Sequence, residues 1–190
     1  ILGDISQTVN PYSASSADTI QRTFPQADMV KLVRSYRSTS QITAFAQRLF
    51  NNPELIVMER HGPSPEMKGF SSSREETEEI RKLVTNFRNA DYQSLGVICK
   101  TRMQADALYR ELKSADVHLL TADSTSFRNG IIITTAHLAK GLEFDEVIIP
   151  FASSGNYHTD TDKRMLYIAC TRAMHKLTLT FTKEGTKLIG

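Results

Sequence analysis

Three polar stretches of this 190-residue chain carry side chains that could bind a phosphorylated ligand. The first is residues 34–39, Arg-Ser-Tyr-Arg-Ser-Thr, in which Tyr36 and Arg37 follow an apolar run. An aromatic ring can stack on a base, and a guanidinium can donate two hydrogen bonds to phosphate oxygens. Taken alone, the pair is more simply a strand-end tyrosine beside a solvated arginine, so the other two stretches decide its meaning.

The second stretch, residues 135–145, joins two apolar runs and reads Thr-Ala-His-Leu-Ala-Lys-Gly-Leu-Glu-Phe-Asp. It brings a histidine, a lysine, a glycine and a carboxylate into one short connection. Gly141 would let the backbone approach a ligand closely, because glycine has no β-carbon. A lone His137 is more often structural, but the ordered set of polar groups favours a ligand site.

The third stretch, residues 165–173, lies near the end of a segment with helical spacing and contains Arg172. A cation at this place interacts favourably with the helix dipole. An arginine can also project into a neighbouring active site, where it stabilises phosphoryl transfer. The residues alone leave both interpretations open.

Helical and strand-like segments alternate along the chain. Apolar spacing predicts helices at residues 38–50, 73–87, 101–113 and 160–173. Capping boxes are predicted for the first three, from Ser38 with Gln41, Ser73 with Glu76, and Thr101 with Gln104. Apolar runs predict strands at residues 30–33, 95–99, 118–121, 131–135, 146–149 and 177–181, and proline-rich residues 51–65 predict a loop.

This alternation predicts a three-layer α/β domain with a mainly parallel sheet. Several of the strand-like runs lack strict alternation, which fits strands that are buried on both faces. Open parallel sheets bind ligands beyond the carboxyl ends of their strands. We therefore expect the polar stretches to lie at that edge.

The bulk composition is that of an ordinary globular domain, with 40% hydrophobic residues, 23% charged residues and a net charge of +2. A nearly neutral chain has no overall attraction to nucleic acid, so any such surface must be local. Cys99 and Cys170 both lie in apolar runs, which predicts two buried thiols and a reducing, cytoplasmic location. No apolar segment is long enough to predict a membrane span.

Four motifs resemble those of UvrD/Rep-like superfamily 1 helicases, and they occur in the order found in that family. Residues 135–145 resemble motif V, and residues 166–173 resemble motif VI. Residues 32–42 resemble motif IV, and Gly3-Asp4-x-x-Gln7 resembles motif III. The resemblance implies a RecA-like (P-loop NTPase-like) second motor lobe.

In that family ATP lies between two RecA-like lobes, so the resemblance implies that this lobe completes a nucleotide site. It implies that Arg37 and Arg172 contact the γ-phosphate and that Gln7 senses it. Tyr36 would stack on adenine, and Glu143 would bond to the ribose or to adjacent backbone. The implied ATP-binding residues are Tyr36, Lys140, Gly141 and Glu143.

The resemblance also implies a face for single-stranded DNA. Tyr12 occupies the place of a base-stacking tryptophan, although Asn10 and Ser13 replace the aromatic residue and the arginine that usually flank it. The other implied DNA contacts are Lys100, Thr101, Arg102, Thr135 and His137. We expect a basic groove near Lys100, Arg102 and His137, whereas a solvated helix start also explains Lys100 and Arg102 when they are considered alone.

The chain contains no Gly-x-x-x-x-Gly-Lys-Ser/Thr, which is the sequence of a P-loop. Asp145-Glu146 has the composition of a Walker B pair, but it precedes its strand and is rejected in that role. We therefore interpret residues 1–27 as a lead-in that carries motif III from the preceding lobe, and residues 28–190 as the C-terminal RecA-like domain. The preceding lobe would hold the Mg²⁺ that accompanies ATP, and residues 1–190 alone are expected not to hydrolyse ATP.

Three functions remain open at this point. The first is an ATP-dependent DNA helicase or translocase acting on single-stranded DNA together with an N-terminal RecA-like lobe. The second is a HelD-like ATPase that remodels RNA polymerase, since the interval between motifs IV and V leaves no room for the helical insertion of UvrD and Rep. The third is a RecA-like binding module without catalysis, which the joint presence of Gln7, Arg37, Glu143 and Arg172 disfavours.

Overall fold

A six-stranded parallel sheet forms the centre of the computed structural model, which describes residues 17–26, 28, 34–57, 59–114, 116–124 and 130–189. The strands are β1 (Arg34–Ser35), β2 (Ile56–Val57), β3 (Glu66–Phe70), β4 (Ser94–Cys99), β5 (Val117–Leu119), β6 (Gly130–Thr135), β7 (Phe144–Ile149) and β8 (Ala173–Thr182). The main sheet has the order β3-β8-β7-β4-β6-β5, while β1 and β2 form a separate parallel pair. All neighbours in the main sheet are parallel, as the sequence predicts.

Helices cover both faces of this sheet. The helices of the described residues are α1 (Ala17–Thr23), α2 (Ser40–Gln47), α3 (Ser73–Arg88), α4 (Arg102–Leu112) and α5 (Asp160–Cys170), followed by a 3-10 turn at Lys187–Ile189. Those that pack on the sheet are α2 to α5. Buried residues of α2 and α5 form one hydrophobic core with the sheet, and those of α3 and α4 form a second core on the opposite face. This is the predicted three-layer α/β architecture.

The central strands supply both cores because their side chains alternate between the two faces. In β4, Ile98 packs into the core of α2 and α5, while Val97 packs into the core of α3 and α4. In β6, Ile132 packs into the core of α2 and α5, and Ile133 packs into the core of α3 and α4. A strand buried on both faces must be apolar at every position, which is why these runs are continuous in the sequence.

Of the three predicted capping residues, one is right and two are one residue off, while the fourth helix starts at residue 160 as predicted. The Thr101–Gln104 capping box of α4 forms as predicted. The cap of α2 is Thr39 and not Ser38, because the Ser38 hydroxyl donates to the carbonyl of Ala173 at 2.6 Å. The cap of α3 is Ser72 rather than Ser73, and the Glu76 side chain is buried instead of closing a capping box.

Other boundaries also differ from the predictions. The helix predicted to reach residue 173 ends at Cys170, and Ala173 begins β8. Strand β3 was missed, since it is an edge strand with an irregular burial pattern that pairs only with β8. The loop predicted at 51–65 contains the two-residue strand β2, and the lead-in expected to be turn-rich contains α1.

Some sequence predictions lie outside the described residues, namely the strand at 30–33 and the roles of Gln7 and Tyr12. Cys99 and Cys170 are buried and unpaired, and burial raises the pKa of the Cys99 thiol to about 12. Within the described part of the chain, no helix has the length and apolar character needed to span a membrane.

Candidate nucleotide and nucleic-acid sites

A pocket of about 450 Å³ lies where motif IV meets the ends of α2 and α5. Its polar wall contains Tyr36, Arg37, Glu143 and Thr171, which come from three separate segments of the chain. Its apolar wall is formed by side chains of α2, the segment after it and α5, namely Ile42, Ala46, Phe50, Leu55 and Tyr167. The pocket therefore combines an exposed aromatic ring, a cation and a carboxylate, and these three groups suit one side of a nucleotide.

The polar wall lies at the amino edge of the sheet. Glu143 directly precedes β7, Arg172 directly precedes β8, and the two segments are joined because the Phe144 amide donates to the Arg172 carbonyl at 3.0 Å. The expectation that the polar stretches meet at the carboxyl edge is therefore wrong for Glu143 and Arg172. The reason is topological, since each of these residues follows a crossover segment that has already returned to the start of the next strand.

Motif IV is attached to this edge through the first residues of β8. The Ser38 hydroxyl donates to the Ala173 carbonyl at 2.6 Å, and the Thr39 amide donates to the Met174 carbonyl at 3.2 Å. Thr39 also caps α2 by accepting from the Ile42 amide. These bonds carry Arg37 to the mouth of the pocket, because it is the residue just before them.

Arg37 forms an ion pair with Glu143 through its Nε atom and the carboxylate Oε1. Both side chains remain substantially exposed, at 40% and 42%. An ion pair exposed to this extent contributes little to stability, about 1 kcal/mol or less, because water screens it. Both groups are therefore accessible to a ligand at little cost in stability. Tyr36 is also exposed, at 61%.

Arg172 occupies a different environment, with only 1% of the residue exposed. Its Nε donates to the Ile168 carbonyl at 3.1 Å, and its two terminal nitrogens donate to the Leu142 carbonyl and the Thr171 hydroxyl, each at 3.2 Å. The guanidinium thus joins the end of α5 to the segment before β7. In this arrangement it does not reach into the pocket, in contrast to the exposed Arg37.

Residues 136–143 connect the two edges of the sheet. At the carboxyl edge, the Ala136 amide donates to the Cys99 carbonyl at 3.1 Å. The segment then turns tightly, with the Ala139 amide donating to the Thr135 carbonyl at 2.9 Å. Gly141 has a φ of +89°, a backbone conformation that favours glycine. Apart from its neighbours in the chain, no residue approaches within 4 Å of the position of an added β-carbon. Lys140 and Gly141 are exposed.

At the carboxyl edge, Lys100 directly follows β4 and is mostly buried. Its Nζ lies 2.6 Å from Oδ1 of Asp162, donates to the Asn156 carbonyl, and lies 5.5 Å from the ring centroid of Tyr157. Asp162 closes the capping box of α5 with Thr159. Lys100 therefore holds the beginning of α5 against the end of β4.

The pKa of Asp162 is set by opposing effects. Burial raises it, but hydrogen bonds from Lys100, from the amides of His158 and Thr159, and from the Thr159 hydroxyl lower it to about 2. The net lowering means that this carboxylate is stabilised in its charged form. Its charge is compensated within the fold.

The remaining predicted DNA residues lie nearby, since β4 and β6 are neighbours with Cys99 opposite Thr135. Thr101 and His137 are exposed. Arg102 is half-exposed and pairs with Asp106 on the same helix at 2.7 Å. Thr135 is 7% exposed, so its side chain is not displayed on the surface.

Comparison with known proteins identifies the family. The sequence pattern described as the UvrD-like helicase C-terminal domain matches residues 30–129, and a second pattern with the same description matches residues 130–180. The chain belongs to the UvrD-like helicase C-terminal domain family. The predicted RecA-like helicase lobe is thereby confirmed.

Individual relatives agree with this assignment. DNA helicase II of Escherichia coli strain K12 is 33% identical over 75 residues, which make up 34% of this chain and 10% of the relative, and DNA helicase II of Salmonella typhimurium gives the same values. The chain thus spans about a tenth of the length of these curated relatives. The crystal structure of the C-terminal domain of a possible DNA helicase from Lactobacillus plantarum WCFS1 matches with a TM-score of 0.70 and 30% identity, covering 82% of this chain and 92% of that one.

Within this helicase lobe, the structure brings together Tyr36, Arg37 and Glu143 of the residues implied for the nucleotide. Arg172 is buried and does not join them in the pocket. Lys100 and Arg102 form ion pairs with Asp162 and Asp106. The sequence did not indicate Thr171 as a lining residue, nor Asp162 as the partner of Lys100. Thr171 could have been suspected because it is next to Arg172, and Asp162 because it lies at the start of the last helix.

Proposed function

We propose that this lobe completes the ATP site of a DNA helicase or translocase, facing an N-terminal RecA-like lobe that binds most of the nucleotide and its Mg²⁺. The observation that carries the proposal is the convergence of Tyr36, Arg37, Glu143 and Thr171 on one pocket at the amino edge. The match to the UvrD-like helicase family supports it. Tyr36 would stack on the base, Arg37 would contact the γ-phosphate, and Glu143 would bond to the ribose.

Arg37 suits this role because it is exposed and its partner is exchangeable. When a γ-phosphate approaches, the guanidinium can leave Glu143 for a more highly charged acceptor. A preorganised arginine that stabilises the transferring phosphoryl group accelerates phosphoryl transfer by roughly 10³- to 10⁵-fold. Since the arginine and the P-loop would lie on different lobes, hydrolysis would depend on closure of the two lobes.

Arg172 would act in a second way. Its guanidinium already has acceptors within the lobe, so a contact with the γ-phosphate requires that those bonds be exchanged. We expect this exchange on lobe closure, because Arg172 directly follows Thr171, which lines the pocket. Until then Arg172 would hold α5 and the segment before β7 in place.

Single-stranded DNA would bind at the carboxyl edge. Thr101 and His137 are exposed there, and Arg102 could leave Asp106 for a phosphate at little cost, since exposed pairs of this type are worth about 0.3 to 0.5 kcal/mol. Lys100 would contribute mainly by holding α5, because its charge is already compensated by Asp162. Residues 136–143 would connect the DNA edge to the nucleotide edge.

The test is ATP hydrolysis by the full-length protein with and without single-stranded DNA. Arg37→Ala should lower the DNA-stimulated kcat by roughly 10³-fold. The matched control is Arg74→Ala, since Arg74 is exposed on α3, across the sheet from the pocket. If Arg37→Ala hydrolyses ATP as fast as the control, the proposed role of this lobe in the ATP site is wrong. A full-length protein that hydrolyses no ATP, with or without single-stranded DNA, would instead favour a binding module without catalysis.

A HelD-like ATPase acting on RNA polymerase is a second candidate, and one observation favours it. Between α2 and β6 the described residues form only β2, β3, α3, β4, α4 and β5 of the lobe itself, without an inserted helical subdomain. Unwinding of a DNA duplex by the full-length protein would favour the helicase. Hydrolysis without unwinding, together with binding to RNA polymerase, would favour the second candidate.

A further inference from the structure

Arg60 lies outside the pocket but forms hydrogen bonds with the turn that contains Arg37. One terminal nitrogen of its guanidinium donates to the Arg37 carbonyl at 2.9 Å. The carbonyl of Arg60 itself accepts from the Ser40 amide at 2.8 Å. Arg60 therefore bonds to both ends of the turn from residue 37 to residue 40, once through its side chain and once through its backbone.

The neighbouring loop packs closely on the same turn. The Gly62 amide donates to the Gln41 side chain at 3.0 Å. A β-carbon added at Gly62 would lie 2.6 Å from a methyl carbon of Thr39, which is closer than real β-carbons approach. The backbone around Arg60 is thus fixed against motif IV, and this contact fixes the origin of the Arg60 side chain.

The other side of the guanidinium is held by His175. The second terminal nitrogen of Arg60 lies 2.8 Å from Nε2 of His175 and 3.2 Å from Nδ1. The imidazole is stacked on Tyr92, with ring centroids 5.0 Å apart and an interplanar angle of 22°. Because His175 lies in β8, this contact connects Arg60 to the main sheet.

Asp145 of motif V lies near the same imidazole. Its Oδ1 lies 3.7 Å from Nε2 of His175. Its Oδ2 accepts from the amides of Gln93 and Ser94 and from the Ser94 hydroxyl, at 2.8 to 3.0 Å. The carboxylate is therefore fixed at the start of β4 and lies beside the imidazole that contacts Arg60, beyond hydrogen-bonding distance.

We propose that Arg60 is a positioning residue that fixes the backbone of Arg37 and so aims its guanidinium at the nucleotide. The inference rests on the proposed function, because it assumes that Arg37 contacts the γ-phosphate. Arg60 itself is not among the side chains that line the pocket, and it acts only through Arg37. Its contacts with the Arg37 carbonyl and with His175 tie motif IV to β8.

The expected effect is on turnover more than on binding. A displacement of about 1 Å in a reacting group can cost roughly 10²-fold in rate, so Arg60→Ala should lower the DNA-stimulated kcat of the full-length protein by roughly 10- to 100-fold. The KM for ATP and the Kd for single-stranded DNA should change by less than about 3-fold, since uniform binding is left intact. Arg60→Lys should recover part of the rate, because an ammonium can still donate to the Arg37 carbonyl.

A double-mutant cycle separates positioning from a general structural role. If Arg60 acts through Arg37, the variant Arg37→Ala/Arg60→Ala should be no slower than Arg37→Ala, because mutations in one unit are not additive. Additive losses, or an Arg60→Ala variant as fast as Arg74→Ala, would overturn the inference. If Arg60→Ala unfolds at the assay temperature, the same cycle is run with Arg60→Lys.

Failure of the inference can be distinguished from failure of the proposed function. A large effect of Arg37→Ala with additive or absent effects at Arg60 rejects only the positioning role. An Arg37→Ala variant with normal turnover rejects the proposed function first.

Discussion

At the amino edge of the sheet, Arg37 pairs with Glu143 across 106 positions of sequence, and both groups are exposed beside a pocket. At the carboxyl edge, Lys100 pairs with Asp162 in a site where the two side chains are only 19% and 6% exposed. Both pairs join distant segments. The exposed pair can be exchanged for a ligand, whereas the buried pair holds α5 in place.

Helix α5 makes this difference relevant to function. It begins at the Lys100–Asp162 pair and ends at Cys170, directly before Thr171 and Arg172, so it spans the sheet from one edge to the other. A cation at either edge is therefore not automatically a ligand-binding group. Burial and local acceptors indicate which cations are structural, and the predictions below test that division.

The largest stability difference is expected between the two arginines of the amino edge. Arg172→Ala should lower the free energy of unfolding by about 3 kcal/mol, because it removes charged hydrogen bonds and buried packing. Arg37→Ala should change it by less than about 1 kcal/mol, since an exposed pair contributes little. Urea denaturation of the chain measures both, and equal losses would contradict the division.

At the carboxyl edge, Lys100→Ala should cost about 2 kcal/mol, because it leaves Asp162 buried without its cation. Arg102→Ala should cost about 0.5 kcal/mol or less, since its pair with Asp106 lies within one exposed helix turn. The same urea titration provides the comparison. If Lys100→Ala leaves the free energy of unfolding unchanged, Lys100 does not hold α5 in place and is available to bind DNA.

Acid unfolding should depend on Asp162. Its pKa of about 2 in the folded protein lies below the value of about 3.9 for an unfolded aspartate, so ionised Asp162 stabilises the fold above about pH 4. That contribution is lost as the pH falls from about 4 to about 2. Asp162→Asn should flatten the pH dependence of the melting temperature in this window. Asp123→Asn, at an exposed loop position, is the control, and identical profiles of the two variants would refute the assignment.

The smallest predicted effect concerns the connection between the edges. Gly141→Ala should destabilise the chain by about 1 kcal/mol, because a residue with a β-carbon is strained at a φ of +89°. Gly155→Ala is the matched control, since Gly155 also has open space around it but its φ lies outside the left-handed region. Thermal unfolding of the two variants should differ accordingly, and a difference of zero would show that the turn relaxes freely.

The layers of the fold could be predicted because the central strands are apolar on both faces and the helices have clear stripes. Helix starts were less certain, since Ser38 and Thr39 are adjacent hydroxyl residues that could each cap α2. A tertiary bond from Ser38 to the Ala173 carbonyl decides between them, and no local pattern contains it. Similarly, Glu76 looks like a capping residue but is buried, where it accepts from Thr180, Thr182 and the Phe151 amide.

The site was less predictable than the fold. The motifs predicted the candidate residues, but only the crossover topology brings Glu143 beside Arg37. Sequence spacing also could not distinguish the exposed Arg37 from the buried Arg172. Arg172 is buried because the folded chain brings the carbonyls of Leu142 and Ile168 to its guanidinium. The same holds for Lys100, whose partner is 62 positions away.

The central claim is that the amino edge serves the nucleotide and the carboxyl edge serves DNA. The most direct measurement is the DNA-stimulated kcat and the Kd for single-stranded DNA, both determined on Arg37→Ala and Arg102→Ala variants of the full-length protein. Arg37→Ala should lose roughly 10³-fold in kcat with Kd changed by less than about 3-fold, while Arg102→Ala should weaken DNA binding and reduce its salt dependence by about one phosphate contact. The claim is contradicted if Arg37→Ala impairs DNA binding instead of turnover, or if Arg102→Ala leaves DNA affinity unchanged.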